Sequence, residues 1–163
     1  MSDDVLLRVD GEVDRPADLS LADLSAIDAA HQVADASTLS PNRKGAAVTL
    51  EGLLELVGVR PSGVYLTLHA SADDFHASVP LAVVRGRGYF VYRLGEEPLP
   101  LSDGGPVRFF IPDPDACQTG EVDECANVKF LDHVELTQQR GHDNRPTDEE
   151  QHAQLHEKEQ ERQ

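Results

Sequence analysis

The chain has no tryptophan, one methionine, two cysteines and only 5% aromatic residues. Its core must therefore be filled mainly by Leu, Val, Ile and Ala. Two cysteines rule out the disulfide framework that staples small secreted domains. No run approaches the ~18 apolar residues of a membrane span. Met1-Ser2-Asp3-Asp4 lacks the basic and apolar regions of a signal peptide, so a cytoplasmic location is expected. Basic residues are also scarce. Fourteen Lys and Arg face 30 Asp and Glu, a formal charge of −16. Such a surface repels phosphate backbones, so neither nucleic acid nor an anionic membrane is an expected partner. A small anion would need a local basic pocket working against that field. Missing too are a Gly-rich phosphate loop, a G-x-S-x-G elbow and an H-E-x-x-H helix.

What remains is a chain of 163 residues, 39% hydrophobic and 27% charged, enough for one domain and a tail. Val5–Val9 reads as a strand. Ser20 reads as the cap of a short helix with apolar positions at 21, 24 and 27, and Asp23 completes an acidic form of the capping box. His31–Ala36 reads as a strand, and residues 37–45 as a polar loop holding Arg43-Lys44, the only adjacent basic pair. Thr49 caps a helix whose apolar residues 50, 53, 54 and 57 bury one face, with Gly58 and Pro61 ending it. Val64–Leu68 and Phe75–Val79 read as antiparallel strands about the turn 71–74. A short helix over Leu81–Val84 and a strand over Tyr89–Leu94 follow. Val107, Phe109 and Ile111 share one face of a further strand. From residue 138 the chain is nearly free of apolar side chains. Residues 1–137 are thus the expected domain, and 138–163 a polar acidic tail, helical or disordered. The class is α+β, mostly antiparallel.

Three constellations carry possible chemistry. Two strands flank a polar loop whose exit bears Asn127 and Lys129, a pattern suited to an anion. Cys117, Cys125 and His133 stand at intervals of eight; zinc, a Cys117–Cys125 disulfide and free thiols are the readings, although the usual C-x₂₋₄-C knuckle is absent. His69 and His76 flank Asp73-Asp74 and would converge across a hairpin, where paired His and Asp bind metal or move protons. Solvated turn residues are the plainer reading of that pair.

In order and spacing, several pieces resemble the oxidoreductase molybdopterin-binding domain, the catalytic fold of sulfite oxidase and of bacterial enzymes that reduce methionine sulfoxide. They include Val9-Asp10-Gly11-Glu12-Val13, Leu19-Ser20-Leu21-Ala22-Asp23-Leu24, residues 45–54, residues 71–81, Gly105-Pro106-Val107-Arg108 and residues 127–135. The resemblance spans roughly residues 5–137. It implies a sulfite-oxidase-like fold, and a molybdopterin cofactor whose phosphate is held by Lys129, with Asn127 and the Val128 backbone beside it. Arg43, with Lys44, would add positive charge over the anion; an exposed basic loop is the equal alternative. The family holds molybdenum through one cysteine, in the loop matching Asp35–Ser40; here that loop has Ser37 and Ser40 and no cysteine. A hydroxyl does not tune a metal as a soft thiolate does. The family's tryptophans are also absent. Two functions follow. One is a divergent ligand-binding or interaction module that has lost redox catalysis. The other is an active molybdenum oxidoreductase with a non-cysteine ligand such as Ser37.

Overall fold

A computed structural model describes residues 4–39, 44–112 and 127–143. Two five-stranded sheets carry the fold. The first holds β1 (Val5–Gly11), β2 (Ala17–Ser20), β5 (Tyr65–Ala70), β6 (Phe75–Pro80) and β10 (His133–Thr137), in the order β2-β1-β10-β5-β6. The second runs β3 (Gln32–Val33), β4 (Ala46–Thr49), β7 (Tyr89–Leu94) and β8 (Glu97–Pro98), with β9 (Arg108–Phe110) also pairing with β7. All pairings between these strands are antiparallel except β1 with β10.

Three short helices follow local signals. α1 (Leu21–Ser25) starts at Ser20, whose hydroxyl accepts from Asp23 N–H while the Asp23 carboxylate accepts from Ser20 N–H, closing the capping box. α2 (Leu50–Val57) starts at Thr49, whose hydroxyl accepts from Gly52 N–H. It ends at Gly58, with φ +69 and an N–H bonded back to Leu54. Leu50, Leu53, Leu54 and Val57 are buried, each adding roughly 1.5–3 kcal/mol before ordering costs. α3 (Leu81–Val84) follows Pro80. One apolar cluster joins α2 to Val9, Leu66, Leu68 and Val134 of the first sheet and to Phe90, Tyr92 and Phe109 of the second.

The sequence expectation differs from the structure in a few places. Only Gln32–Val33 of His31–Ala36 is strand. The aspartates on either side pull the flanking backbone into 3₁₀ turns, Asp28 accepting from Ala30 N–H and Asp35 from Ser37 N–H. The sequence reading takes Gly95–Pro98 wholly as a turn, but Glu97–Pro98 pairs with β7 as β8; it also lacks β2 and β4. Each is four residues long and runs straight into a helix cap, so its alternation is too brief to separate from the cap signal. The chain after Thr137 stays on the first sheet as far as Asp143. Gly141 N–H donates to the Ser78 hydroxyl, and the Asp143 carboxylate accepts from Ser78 N–H. Polar bonds hold this stretch where apolar contacts are lacking.

Candidate functional site

At one corner of the second sheet, the 3₁₀ turn Leu101–Asp103 ends in Gly104, with φ +93. Gly105 N–H closes the corner on the Pro100 carbonyl at 2.9 Å. The segment 127–131 is strapped across it. Phe109 and Val128 exchange both backbone hydrogen bonds at 2.9 Å, Phe130 N–H donates to Gly104 at 2.7 Å, and Leu131 N–H donates to Val107 at 2.9 Å. Phe130 itself has φ +57, the left-handed region that a bulky L-residue rarely enters. Such strain marks a place where surrounding bonds over-determine the backbone.

This arrangement sets Lys129 beside Arg108. A Cβ built on Gly104 would stand 3.1 Å from Arg108 Cδ and 3.3 Å from Lys129 Cγ, so both cationic side chains pass over the same glycine. Arg108 Nη1 also donates to the Asp103 carbonyl at 3.4 Å. Two cationic side chains thus stand at one backbone corner, the kind of grouping on which anions are held. Arg108 stands in the Gly105–Arg108 segment, where the sequence alone assigns it no role. Its nearness to Lys129 depends on the Phe109–Val128 bridge, which no local pattern encodes.

The other expected residues are placed as follows. Asn127 turns its side-chain oxygen to Ile111 N–H at 2.9 Å, fixing the end of β9. The Val128 amide and carbonyl are taken by Phe109, so its backbone anchors the segment. Ser37 lies in a 3₁₀ turn, where its hydroxyl donates to Asp35 at 2.6 Å and its N–H donates to the same oxygen. The hydroxyl bond first, and the amide bond second, hold the Asp35 carboxyl below its ordinary pKa. Ala36, beside Ser37, belongs to the small apolar cluster of Ala47, Val91, Leu99 and Phe110. Leu99 also meets the Gly105 backbone, so the Ser37 turn and the Gly104 corner rest on one piece of core. Arg43, Cys117 and Cys125 lie outside the described residues.

His133 opens β10, with Nε2 bonded to Asp10 at 2.6 Å and its ring stacked on His69 at 4.8 Å. His69 and His76 do converge: they face each other in the β5–β6 register, with their Nδ1 atoms 2.7 Å apart. Among the described residues no group of three or more His, Cys, Asp and Glu is arranged to hold a metal ion.

The model of the oxidoreductase molybdopterin binding domain matches residues 2–144. The chain belongs to that family. No curated protein matches it. Among solved structures it resembles the sulfane dehydrogenase SoxCD from Paracoccus pantotrophus, at 18% identity and a TM-score of 0.60. The match covers 88% of this chain and 41% of that one, so this domain spans about two fifths of the neighbour. At that identity the likeness establishes the fold, which is sulfite-oxidase-like and mixed α+β.

Proposed function

We propose that this member of the molybdopterin-binding family has lost molybdenum redox catalysis and serves as a ligand-binding module for a small phosphorylated anion, with the pterin cofactor as the first candidate. The observation that carries the reading is the pairing of Arg108 and Lys129 over Gly104. These residues suit the phosphate end of the cofactor. Lys129 is exposed and offers a compact ammonium, while Arg108, half-buried and donating to the Asp103 carbonyl, adds a second positive charge beside it. Asn127 and Val128 act on the ligand indirectly, by fixing the backbone that presents Lys129.

The metal end fits less well. When bound, the family's cofactor supplies molybdenum redox chemistry through a thiolate-held metal. Here the matching loop has Ser37, whose hydroxyl is already given to an ionised Asp35. An alkoxide formed at Ser37 would sit 2.6 Å from that carboxylate and be repelled by it.

The test is to purify the protein from a host that makes molybdenum cofactor, then measure molybdenum and pterin together. Pterin without near-stoichiometric molybdenum is the expected result. Molybdenum at one per chain, with turnover of sulfite or a sulfoxide, would overturn the proposal in favour of an active oxidoreductase. Lys129→Met sharpens the assignment. Its expected effect on stability is within about 0.5 kcal/mol, because the side chain is exposed. Affinity for the phosphorylated pterin, or for pyrophosphate as a probe, should fall about tenfold or more, the worth of one charged hydrogen bond. Unchanged affinity in Lys129→Met would remove the lysine from the site.

A further inference from the structure

Among the described strands, β6 is the last on its side of the first sheet, and its outer edge carries the backbone groups that a further strand would bond. The register tells which groups those are. Ser78 N–H donates to the Asp143 carboxylate and not to β5, whereas Leu81 N–H turns back to Val64. Alternation along an antiparallel strand then points the backbone groups of Phe75, Ala77 and Val79 inward to β5, and those of His76, Ser78 and Pro80 outward. Pro80 has no N–H, so the amides of this edge are those of His76 and Ser78.

The stretch 138–143 is a strap that runs from Thr137 to this edge. It crosses Thr67 of β5, where a Cβ on Gly141 would stand 2.4 Å from Thr67 Oγ1 and 2.9 Å from its Cγ2, so only a glycine passes this close. Gly141 N–H donates to the Ser78 hydroxyl at 2.9 Å, and His142 stacks on His76 with ring centroids 4.0 Å apart. Asp143 Oδ2 accepts from Ser78 N–H at 3.0 Å and from Arg140 Nη2 at 3.0 Å, and the Asp143 side chain is only 3% exposed. That oxygen lies at the distance a neighbouring strand's carbonyl would take. The carboxylate does for Ser78 what a further strand would do, and ends the ladder there.

We propose that β6 is a strand-addition edge for a second copy of this chain, and that Asp143 is its removable guard. With the strap in place the chain is a monomer. With the strap lifted, two β6 strands pair antiparallel about Ala77 and join the two first sheets.

The edge is complementary to itself in that register. His76 of each copy faces Ser78 of the other, and the two exchange both backbone hydrogen bonds. Ala77 meets Ala77 at the two-fold axis, in the closer, non-hydrogen-bonded position where a small side chain fits. Phe75 meets Val79 of the other copy, an aromatic against a β-branched residue, which is a favoured cross-strand pair. Phe75 packs partly buried against the core, and Ala77 and Val79 are fully buried, so this face brings no charge into the contact. Asp74, whose φ of +48 turns the chain away, falls opposite Pro80 and closes both ends.

Charge sets the condition. At a formal −16 each, two copies repel. A contact of backbone bonds and apolar side chains needs no counter-charge, so salt strengthens it by shortening the screening length from ~10 Å at 0.1 M to ~3 Å at 1 M. A contact through opposite charges would weaken instead.

The test is sedimentation of the full chain from ~10 μM to ~1 mM, in low and high salt. Two variants lift the strap by different means. Asp143→Ala removes the guarding oxygen, and Gly141→Val drives a side chain into Thr67. Both should dimerise at least about tenfold more tightly than the unaltered chain, and more tightly again in ~1 M salt. Amide exchange locates the contact. Protection at His76 and Ser78 of the variants should rise about tenfold or more with concentration, while Leu66 and Val134 inside the sheet keep theirs. Four results would overturn the proposal. Variants that stay monomeric at every concentration and salt would mean that lifting the strap opens no pairing edge. An unaltered chain that dimerises equally tightly would mean that Asp143 guards nothing. Dimers with no gain at His76 and Ser78 would put the contact elsewhere. Lost protection at Leu66 and Val134 in both variants would make the strap part of the core and not a removable guard.

Discussion

Gly105→Ala is expected to prevent the native fold from forming. A Cβ at that position would stand 1.6 Å from the Leu99 carbonyl oxygen, 2.4 Å from its carbon and 2.9 Å from the Pro100 oxygen. All three are backbone atoms, so no rotamer change relieves the clash. The corner would have to open, and with it the Gly105–Pro100 bond and the Phe130–Gly104 bond. A cost above about 4 kcal/mol is expected, in the exceptional range for one substitution and comparable to the ~5–15 kcal/mol stability of a whole domain. Urea denaturation followed by circular dichroism measures it. Gly95→Ala is the matched control, because it has nothing within 4 Å of its Cβ position and only a positive φ of 65° to strain it. Its cost should stay near 1–2 kcal/mol. Equal midpoints for the two variants would show that the corner is looser than described.

Phe109→Ala should be the next most damaging change. Phe109 is fully buried and faces Phe90 across β7–β9, with ring centroids 5.1 Å apart. It also lies so close to Gly88 that a Cβ there would meet its ring at 2.7 Å. Removing the ring from this packed site loses its transfer energy and leaves a cavity, about 3–5 kcal/mol together. The melting temperature should drop by roughly 6–20 °C. Phe109→Leu should recover part of this. A loss under about 1 kcal/mol would mean that the core collapses around the gap. Because Phe109 also pairs with Val128, this variant should weaken anion binding together with stability. Lys129→Met should separate the two.

Helix starts were the most legible part of the sequence. Ser20 with Asp23, and Thr49 with Gly58, are local signals acting within a few residues, and each appears in the structure as a bond. The β5–β6 hairpin was readable for the same reason. The parallel pairing of β1 with β10 was not, because it joins residues more than a hundred positions apart and rests on register alone. The site divides the same way. Lys129 is a candidate through family resemblance alone. Arg108 was not assigned, because its place beside Lys129 is created by a bridge between segments. His69 and His76 were expected to meet across a hairpin, but His133 and His142 join them only once the strand order is known.

That strand order has a consequence for how the domain is made. β10 sits between β1 and β5, so the first sheet has a gap at its middle until the last strand arrives. While the chain is on the ribosome, β1 with β2 and β5 with β6 can form as two separate ribbons, each with an apolar face and an unsatisfied edge. Contacts between distant residues are slow to form, and open edges invite pairing with other chains. Nascent chains stopped before His133 should therefore be sticky and protease-sensitive, and synthesis must pass Thr137 before the edges are closed.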